Sequence, residues 1–159
     1  DKVNFSYKSE WGKTHLLSDT DFRENIISKL RLKCLSNEID KHVRNYCDEL
    51  NFEYKRYKMT SWIAKFQPGD FAHIHEHGHS DISGVFYYKT NEDDGDLVFT
   101  SPNPFLKTSK LFAGTELSWI HKPIEGKILL FPAWIPHGVK TNETDNTRIS
   151  ISFNINFEN

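Results

Sequence analysis

Four histidines occupy alternate positions directly before a run of strand-forming residues, and this spacing limits the fold more than any other feature of the chain. The segment DFAHIHEHGHSDISGVFYY contains His73, His75, His77 and His79. In an extended strand, side chains two residues apart lie on the same side. We therefore expect these imidazoles to share one face wherever the chain stays extended, next to a strand that begins near residue 82.

The length and composition of the chain are those of one globular domain. Its 159 residues are 37% hydrophobic and 14% aromatic, which is enough apolar material to build a core. We therefore predict that residues 1–159 form a single domain.

Charge and cysteine content limit the partners and the cellular setting. The formal net charge is −2 with both signs interspersed, so binding to duplex nucleic acid is not expected. No apolar run approaches the ~18–20 residues of a membrane span, and we predict no membrane partner. Two cysteines do not make a disulfide framework, which favours a reducing, cytoplasmic location. The sequence does not indicate an oligomeric state.

The apolar spacing predicts helices first and strands afterwards. Ser18–Asp21 has the residues of a helix N-terminus, and helical spacing follows it, so we predict a helical segment over about 20–51. If this segment forms two helices, the break is expected near Ser36–Asn37. A β core is predicted from about 55 to 157, with an alternating strand at Tyr57–Phe66 and later strands at 71–76, 82–89, 96–100, 110–113, 116–120, 126–131, 137–140 and 147–157. This order predicts a mainly β sandwich or jelly roll with an N-terminal helical layer.

The alternating row and a distant histidine together form a candidate metal site. Imidazole is the commonest metal ligand in proteins, and its neutral form binds divalent ions near pH 7. Two histidines at i and i+2 at a strand end can bind one ion and leave other coordination positions open. His137, which follows the apolar run ILLFPAWIP, can supply a third ligand. The alternative is a solvated histidine-rich loop that binds metals only adventitiously.

Arg148 begins a predicted strand in which one face is polar. Ile149, Ile151 and Phe153 alternate with Arg148, Ser150, Ser152 and Asn154. A polar face inside a protein needs partners or a ligand. The Arg148 guanidinium can bind a carboxylate bidentately, and Ser150 can donate to the same carboxylate. The alternative is a structural pair between Arg148 and an acidic side chain.

In this combination of motifs, the chain resembles the 2-oxoglutarate- and Fe(II)-dependent oxygenase superfamily, and in particular a group found in bacteria and their phages. The likeness covers roughly residues 60–157. The residues that carry it are Trp62, His75-Glu76-His77, Ser83-Gly84-Val85-Phe86-Tyr87, Gly126 through Pro132, His137 and Arg148-Ile149-Ser150-Ile151-Ser152-Phe153-Asn154. The resemblance implies a double-stranded β-helix, the cupin-like jelly roll, with iron at its open end.

The resemblance also implies an iron site, but the chain departs from the commonest ligand pattern. Most members of the superfamily use His-x-Asp or His-x-Glu and a distant histidine, whereas the aligned pair here is His75-x-His77. One assignment is a three-histidine site of His75, His77 and His137. A second takes His79 and Asp81 as the usual pair. A third has one histidine of the pair, His137 and a water.

For the cosubstrate, the resemblance implies that Arg148 and Ser150 bind the distal carboxylate of 2-oxoglutarate. Tyr88 is a further candidate for this contact, since similar members often place the second tyrosine of such a pair there. The alternative for Tyr88 is a core position with a protein hydrogen-bond partner.

The activity implied by the resemblance is hydroxylation of an unidentified substrate with O2 and 2-oxoglutarate. One alternative is a three-histidine cupin-type metalloenzyme that works without 2-oxoglutarate and does not require the Arg148-x-Ser150 pair. Another is a non-catalytic β-barrel that binds a metal, with a closed tetrahedral zinc site.

Overall fold

The computed structural model describes residues 3–103 and 118–158. After a short 3-10 turn at Ser9–Trp11, the helices are α1 (Ile26–Lys29) and α2 (Lys33–Glu49). The strands in these ranges are β1 (Ser6–Tyr7), β2 (Leu16–Leu17), β3 (Arg56–Phe66), β4 (Ala72–His75), β5 (Ile82–Lys89), β6 (Leu97–Thr100), β7 (Ser118–His121), β8 (Ile128–Pro132), β9 (His137–Val139) and β10 (Arg148–Glu158).

The strands form two antiparallel sheets. The larger has the order β1-β2-β3-β10-β5-β8 and the smaller has the order β4-β9-β6-β7. Strand β10 is central in the larger sheet, since it pairs with β3 along its whole length and with β5 on its other side. The mainly β prediction is confirmed. Both sheets contribute candidate site residues. Arg148 begins β10 of the larger sheet, and His137 begins β9 of the smaller sheet.

Helix α2 packs against strand β10 of the larger sheet. Its buried side chains Ile39 and Val43 share one core cluster with Ile151, Phe153 and Ile155 of β10. These three β10 residues alternate in sequence, as a strand with one face against a helix requires. Burial of each large aliphatic side chain contributes roughly 1.5–3 kcal/mol. The opposite, polar face of β10 therefore points away from α2, and its side chains line a cavity together with residues of the smaller sheet.

The helical segment breaks earlier than the sequence predicts. The break lies between α1 and α2, where Arg31 adopts a positive φ of 55°, and Ser36 and Asn37 lie inside α2. Asn25 caps α1, because its side chain accepts a hydrogen bond from the Ser28 backbone N–H at 3.0 Å. The prediction of a break at Ser36–Asn37 was wrong because the turn depends on a left-handed arginine, a residue type that does not signal that conformation.

Most predicted strands lie within two residues of the observed ones, and 82–89 coincides with β5. The predicted strand 110–113 lies outside the described residues. Of the predicted strand 116–120, residues 118–120 belong to β7, and residues 116–117 also lie outside the described residues. Both cysteines are free, with Cys47 buried and Cys34 exposed. In the described part of the chain, no helix is both long enough and apolar enough to cross a membrane.

Candidate active site

Two short strands of the smaller sheet bring His75 and His137 together. His75 ends β4 and His137 begins β9, and the two are direct antiparallel partners with ring centroids 4.5 Å apart. His77 follows beyond the end of β4, where its backbone N–H donates to the carbonyl of Ala133 at 2.9 Å. Its ring lies 5.0 Å from that of His75 and 5.2 Å from that of His137.

The three imidazoles form a set that could hold one metal ion. One ring nitrogen from each of His75, His77 and His137 lies within 4.8 Å of the others. Metal–nitrogen bonds are about 2 Å long, so a small side-chain adjustment places all three around one divalent ion. The set has no carboxylate among the described residues, and three ligands leave further coordination positions open.

Backbone carbonyls fix the orientation of two of these rings. Nδ1 of His75 donates to the carbonyl of His73 at 2.7 Å, and Nδ1 of His137 donates to that of Ile135 at 2.8 Å. A carbonyl can only accept, so in each ring the proton is on Nδ1 and the lone pair is on Nε2. This second hydrogen bond of a histidine is the usual way in which proteins orient a metal ligand.

The environment keeps the three rings neutral. Burial lowers the pKa of His77 to about 3, helped by the neighbouring His75 and His137. Burial also lowers the pKa of His137 to about 4, and it lowers that of His75. Neutral imidazole is the form that coordinates metals, so the site is ready for an ion at neutral pH.

The other residues of the histidine-rich segment point elsewhere. His73 and His79 are exposed. The Asp81 carboxylate accepts a hydrogen bond from the Phe157 backbone N–H at 2.8 Å, at the edge of β10. The structure therefore brings His75, His77 and His137 together and leaves the His79–Asp81 pair outside the set.

Arg148 lies in the same cavity and is not neutralised there. It is only 2% exposed, and its guanidinium carbon lies 4.9 Å from the Phe66 ring centre and 5.0 Å from that of Tyr87. Nη1 donates to the carbonyl of Gly95 at 2.6 Å, whereas Nε has no hydrogen-bond partner in the described ranges. Arg148 makes no ion pair with any described residue, which argues against the structural Arg–acid pair. A buried guanidinium with free donors is suited to an anionic ligand.

Ser150 and Tyr88, the two predicted partners of Arg148, have different placements. Ser150 is buried and lines the same cavity. Tyr88 is 61% exposed and lies on the outer face of β5, away from the cavity that Arg148 and Ser150 line. A register shift skips Tyr88, because Ile149 pairs with Lys89 and Ser150 pairs with Tyr87. Strand alternation then directs Tyr87 inward and Tyr88 outward.

Of the two adjacent tyrosines, Tyr87 is the one that lies beside Arg148. Its side chain is completely buried beside Arg148, and its hydroxyl has no hydrogen-bond partner among the described residues. Tyr87 shares a strand face with Val85, which lines the cavity, but the sequence alone does not show which face of β5 meets the cavity.

His15 is a cavity residue that the sequence did not reveal. The ring is buried and stacks on Phe66 at a centroid distance of 4.5 Å, and its Nδ1 has no hydrogen-bond partner within the part of the chain that the structure describes. It also lies 5.9 Å from the Trp11 ring, and both residues line the cavity. His15 precedes the two-residue strand β2 in an irregular segment, so no periodicity marks it as an interior residue.

Comparison with known proteins supports a family assignment. Residues 60–154 match the model of a family described as "Putative 2OG-Fe(II) oxygenase". No curated protein sequence matches the chain.

Two solved structures show a similar fold. An oxidoreductase of the 2OG-Fe(II) oxygenase family from Burkholderia pseudomallei is 16% identical with a TM-score of 0.56, covering 71% of this chain and 50% of its own. A Pseudomonas putida prolyl-4-hydroxylase is 16% identical with a TM-score of 0.57, covering 77% and 63%. The chain thus spans less than two thirds of either protein. Since the family model covers more than half of the sequence, the chain belongs to the 2OG-Fe(II) oxygenase family.

Proposed function

We propose that this protein is an Fe(II)- and 2-oxoglutarate-dependent dioxygenase that hydroxylates an as yet unidentified substrate. The observation that carries the proposal is one cavity that contains both a set of three neutral histidines and a buried, unneutralised arginine. We also propose that the chain is one domain, a double-stranded β-helix with an N-terminal helical layer.

In this proposal, His75, His77 and His137 hold Fe(II). The donor set fits, because imidazole binds ferrous iron and the carbonyl-bound Nδ1 atoms of His75 and His137 leave Nε2 free. Bound Fe(II) with 2-oxoglutarate and O2 supplies the oxidising chemistry of this family. Asp81 is not required as a ligand, since its carboxylate is hydrogen-bonded to the backbone of β10.

Arg148 binds and orients the cosubstrate. The guanidinium has five N–H donors, and one of them is used by Gly95, which leaves a fork for the distal carboxylate of 2-oxoglutarate. The Ser150 hydroxyl lines the same cavity and can donate to that carboxylate. The guanidinium carbon lies 4.9 Å from the Phe66 ring centre and 5.0 Å from that of Tyr87, and the Tyr87 hydroxyl, which has no partner among the described residues, is a further candidate donor.

Aromatic side chains line the approach to the histidines and limit the access of water. Trp62 and Phe131 are buried in the cavity wall, with ring centroids 6.0 Å from His77 and 4.8 Å from His137 respectively. Phe22 packs edge-on against Trp62 at 4.7 Å. An aromatic lining of this kind shields reactive chemistry from solvent and favours contact with an apolar portion of the substrate.

The two alternative functions leave features of the cavity without a role. A cupin-type enzyme without 2-oxoglutarate has no use for a buried arginine whose Nε is unpartnered. A structural zinc site uses four protein ligands in a closed tetrahedron, whereas the set in the described residues has three.

Anaerobic titration of the Fe(II)-loaded protein with 2-oxoglutarate tests the proposal. Chelation of ferrous iron by the 2-oxo acid is expected to give a weak charge-transfer band in the visible range. We expect a saturable band in the wild type and a large rise in the 2-oxoglutarate Kd in Arg148→Ala. Stoichiometric iron without a band would favour the three-histidine cupin function, and absence of iron binding would refute both.

A further inference from the structure

The turn between β5 and β6 contains a completely buried carboxylate next to the arginine of the cavity. Asp94 has no exposed surface, although it lies in the acidic sequence Glu92-Asp93-Asp94-Gly95-Asp96. The residue that follows it, Gly95, provides the carbonyl to which Arg148 Nη1 donates at 2.6 Å. The position of the guanidinium therefore depends on the backbone at Asp94–Gly95.

The Asp94 carboxylate ties two turns together through three hydrogen bonds. It accepts from the Thr90 hydroxyl at 2.6 Å, from the Asn91 backbone N–H at 3.0 Å and from the Asn146 side-chain amide at 2.7 Å. Thr90 and Asn91 lie in its own turn, whereas Asn146 lies two residues before Arg148 in the turn that leads into β10. The Asp94 carboxylate thus holds the turn that leads into Arg148 and the turn that contains the Gly95 carbonyl, to which Arg148 donates.

The backbone at Gly95 is held tightly on its other side. Gly95 has a φ of +106°, and a Cβ at this position would lie 2.5 Å from the carbonyl oxygen of Lys140. The Lys140 backbone N–H donates to the carbonyl of Asp96 at 2.9 Å. Only glycine fits this conformation and this contact, so the Gly95 carbonyl has little freedom to move unless the Asp94 anchor is lost.

Asp94 influences Arg148 without forming an ion pair with it. Burial lowers the pKa of Arg148, and Tyr87, Asp94 and Asp96 act in the opposite direction. The hydrogen bonds of the Asp94 oxygens go to other groups, so the fork of Arg148 stays available for an external anion. A direct Asp94–Arg148 pair would compete with that anion.

We propose that Asp94 is a positioning residue for the cosubstrate, which fixes the Gly95 carbonyl and thereby aims the Arg148 guanidinium at the distal carboxylate of a 2-oxo dicarboxylate. This inference rests on the proposed function. Asp94 does not touch the cosubstrate itself, and its effect is confined to ligands that reach Arg148.

The test compares Asp94→Asn with Asp93→Asn in the Fe(II)-loaded full chain under anaerobic conditions. Asp93 is the neighbouring carboxylate, exposed and paired with Lys122, so it controls for loss of a charge in the same turn. Each variant is titrated with 2-oxoglutarate and with pyruvate, which has the same metal-binding end but lacks the distal carboxylate.

We expect Asp94→Asn to raise the 2-oxoglutarate Kd by about tenfold, the effect of disturbing a buried charged hydrogen bond. The pyruvate Kd and the iron stoichiometry should not change, and Asp93→Asn should match the wild type with both acids. Thr90→Val removes the 2.6 Å hydrogen bond to Asp94 and the 2.9 Å hydrogen bond that the Thr90 hydroxyl accepts from the Glu92 backbone N–H, and it leaves the Asp94 charge in place. It should give a smaller rise that is again specific for 2-oxoglutarate. This milder variant carries the test if Asp94→Asn does not fold.

Four results would overturn the inference. Equal weakening of pyruvate and 2-oxoglutarate would make Asp94 a general structural residue. An unchanged 2-oxoglutarate Kd would show that Arg148 needs no such anchor, and tighter binding would show that the Asp94 charge mainly repels the ligand. A wild-type protein that gives no band with 2-oxoglutarate would refute the proposed function, and this inference with it.

Discussion

His75 and His137 are direct cross-strand partners at the adjoining ends of β4 and β9, with ring centroids 4.5 Å apart. The pairing places two Nε2 atoms on one side of the smaller sheet, and the turn after β4 adds His77. The candidate metal centre is thus built by strand register, and changes to its members should affect metal binding before they affect the fold.

The first prediction separates the three-histidine set from the other residues of the segment. His137→Ala should lower the affinity for Fe(II) by about 100-fold or more, since loss of a ligand exceeds the roughly 10–100-fold effect of losing an outer-shell partner. His79→Ala and Asp81→Asn should bind iron like the wild type, because neither side chain belongs to the set. Anaerobic equilibrium dialysis with iron analysis measures this. Loss of iron in Asp81→Asn would instead favour a His79–Asp81 ligand pair.

The second prediction compares the two adjacent tyrosines of β5. Tyr87→Phe removes a buried, unpartnered hydroxyl beside Arg148 and should raise the 2-oxoglutarate Kd by about three- to tenfold. Tyr88→Phe, on the exposed outer face, should have no effect. Charge-transfer titration of the two variants under identical conditions provides the measurement. A larger rise in the 2-oxoglutarate Kd for Tyr88→Phe than for Tyr87→Phe would instead favour Tyr88 as the contact to the cosubstrate.

The third prediction concerns the pH dependence of stability in the metal-free protein. Burial lowers the pKa of His15 to about 4, so the folded state binds fewer protons than the unfolded state between pH 4 and the ordinary value of 6.5. The free energy of unfolding should therefore fall as the pH drops through this window, by up to a few kcal/mol from this residue.

His15→Phe should reduce this pH dependence while keeping the stacking on Phe66. Urea unfolding of both proteins at pH 7.5 and pH 5 compares them. His77 and His137 act in the same direction, with pKa values of about 3 and about 4, so the slope should be reduced rather than removed. Equal slopes in the variant and the wild type would mean that His15 is not buried as a neutral ring.

The fourth prediction concerns Gly84, where β5 approaches β10 closely. A Cβ at this position would lie 2.3 Å from the Phe153 ring and 2.9 Å from the Leu129 carbonyl oxygen. Gly84→Ala should therefore destabilise the fold by about 1–3 kcal/mol through overpacking. Gly78→Ala is the matched control, because its Cβ would meet only the flexible carboxylate of Glu76. Thermal unfolding measures the melting temperatures of the two variants. Equal melting temperatures would contradict the expected overpacking at Gly84.

The sequence predicts those features that depend on the regular spacing of side chains along a single strand. Alternation located β5 and β10, and the spacing of His75 and His77 with the later His137 indicated the set that the structure brings together. These predictions succeed because strand side chains repeat every two residues whatever surrounds them.

Features that depend on tertiary context were not predictable in this way. The inward direction of Tyr87 depends on which face of β5 meets the cavity, and the alternation alone allowed either tyrosine. Asp94 looks like one of several solvated acids, and only the meeting of two turns buries it. His15 lies in an irregular segment, and Arg31 ends α1 with a left-handed conformation that no glycine or asparagine signals.

A crystal structure of the anaerobic complex with Fe(II) and 2-oxoglutarate tests the central claim most directly. We predict one iron bound by Nε2 of His75 and His137 and by His77, with the distal carboxylate of 2-oxoglutarate on the Arg148 guanidinium. Iron held by His79 and Asp81, or a 2-oxoglutarate whose distal carboxylate does not contact Arg148, would contradict it.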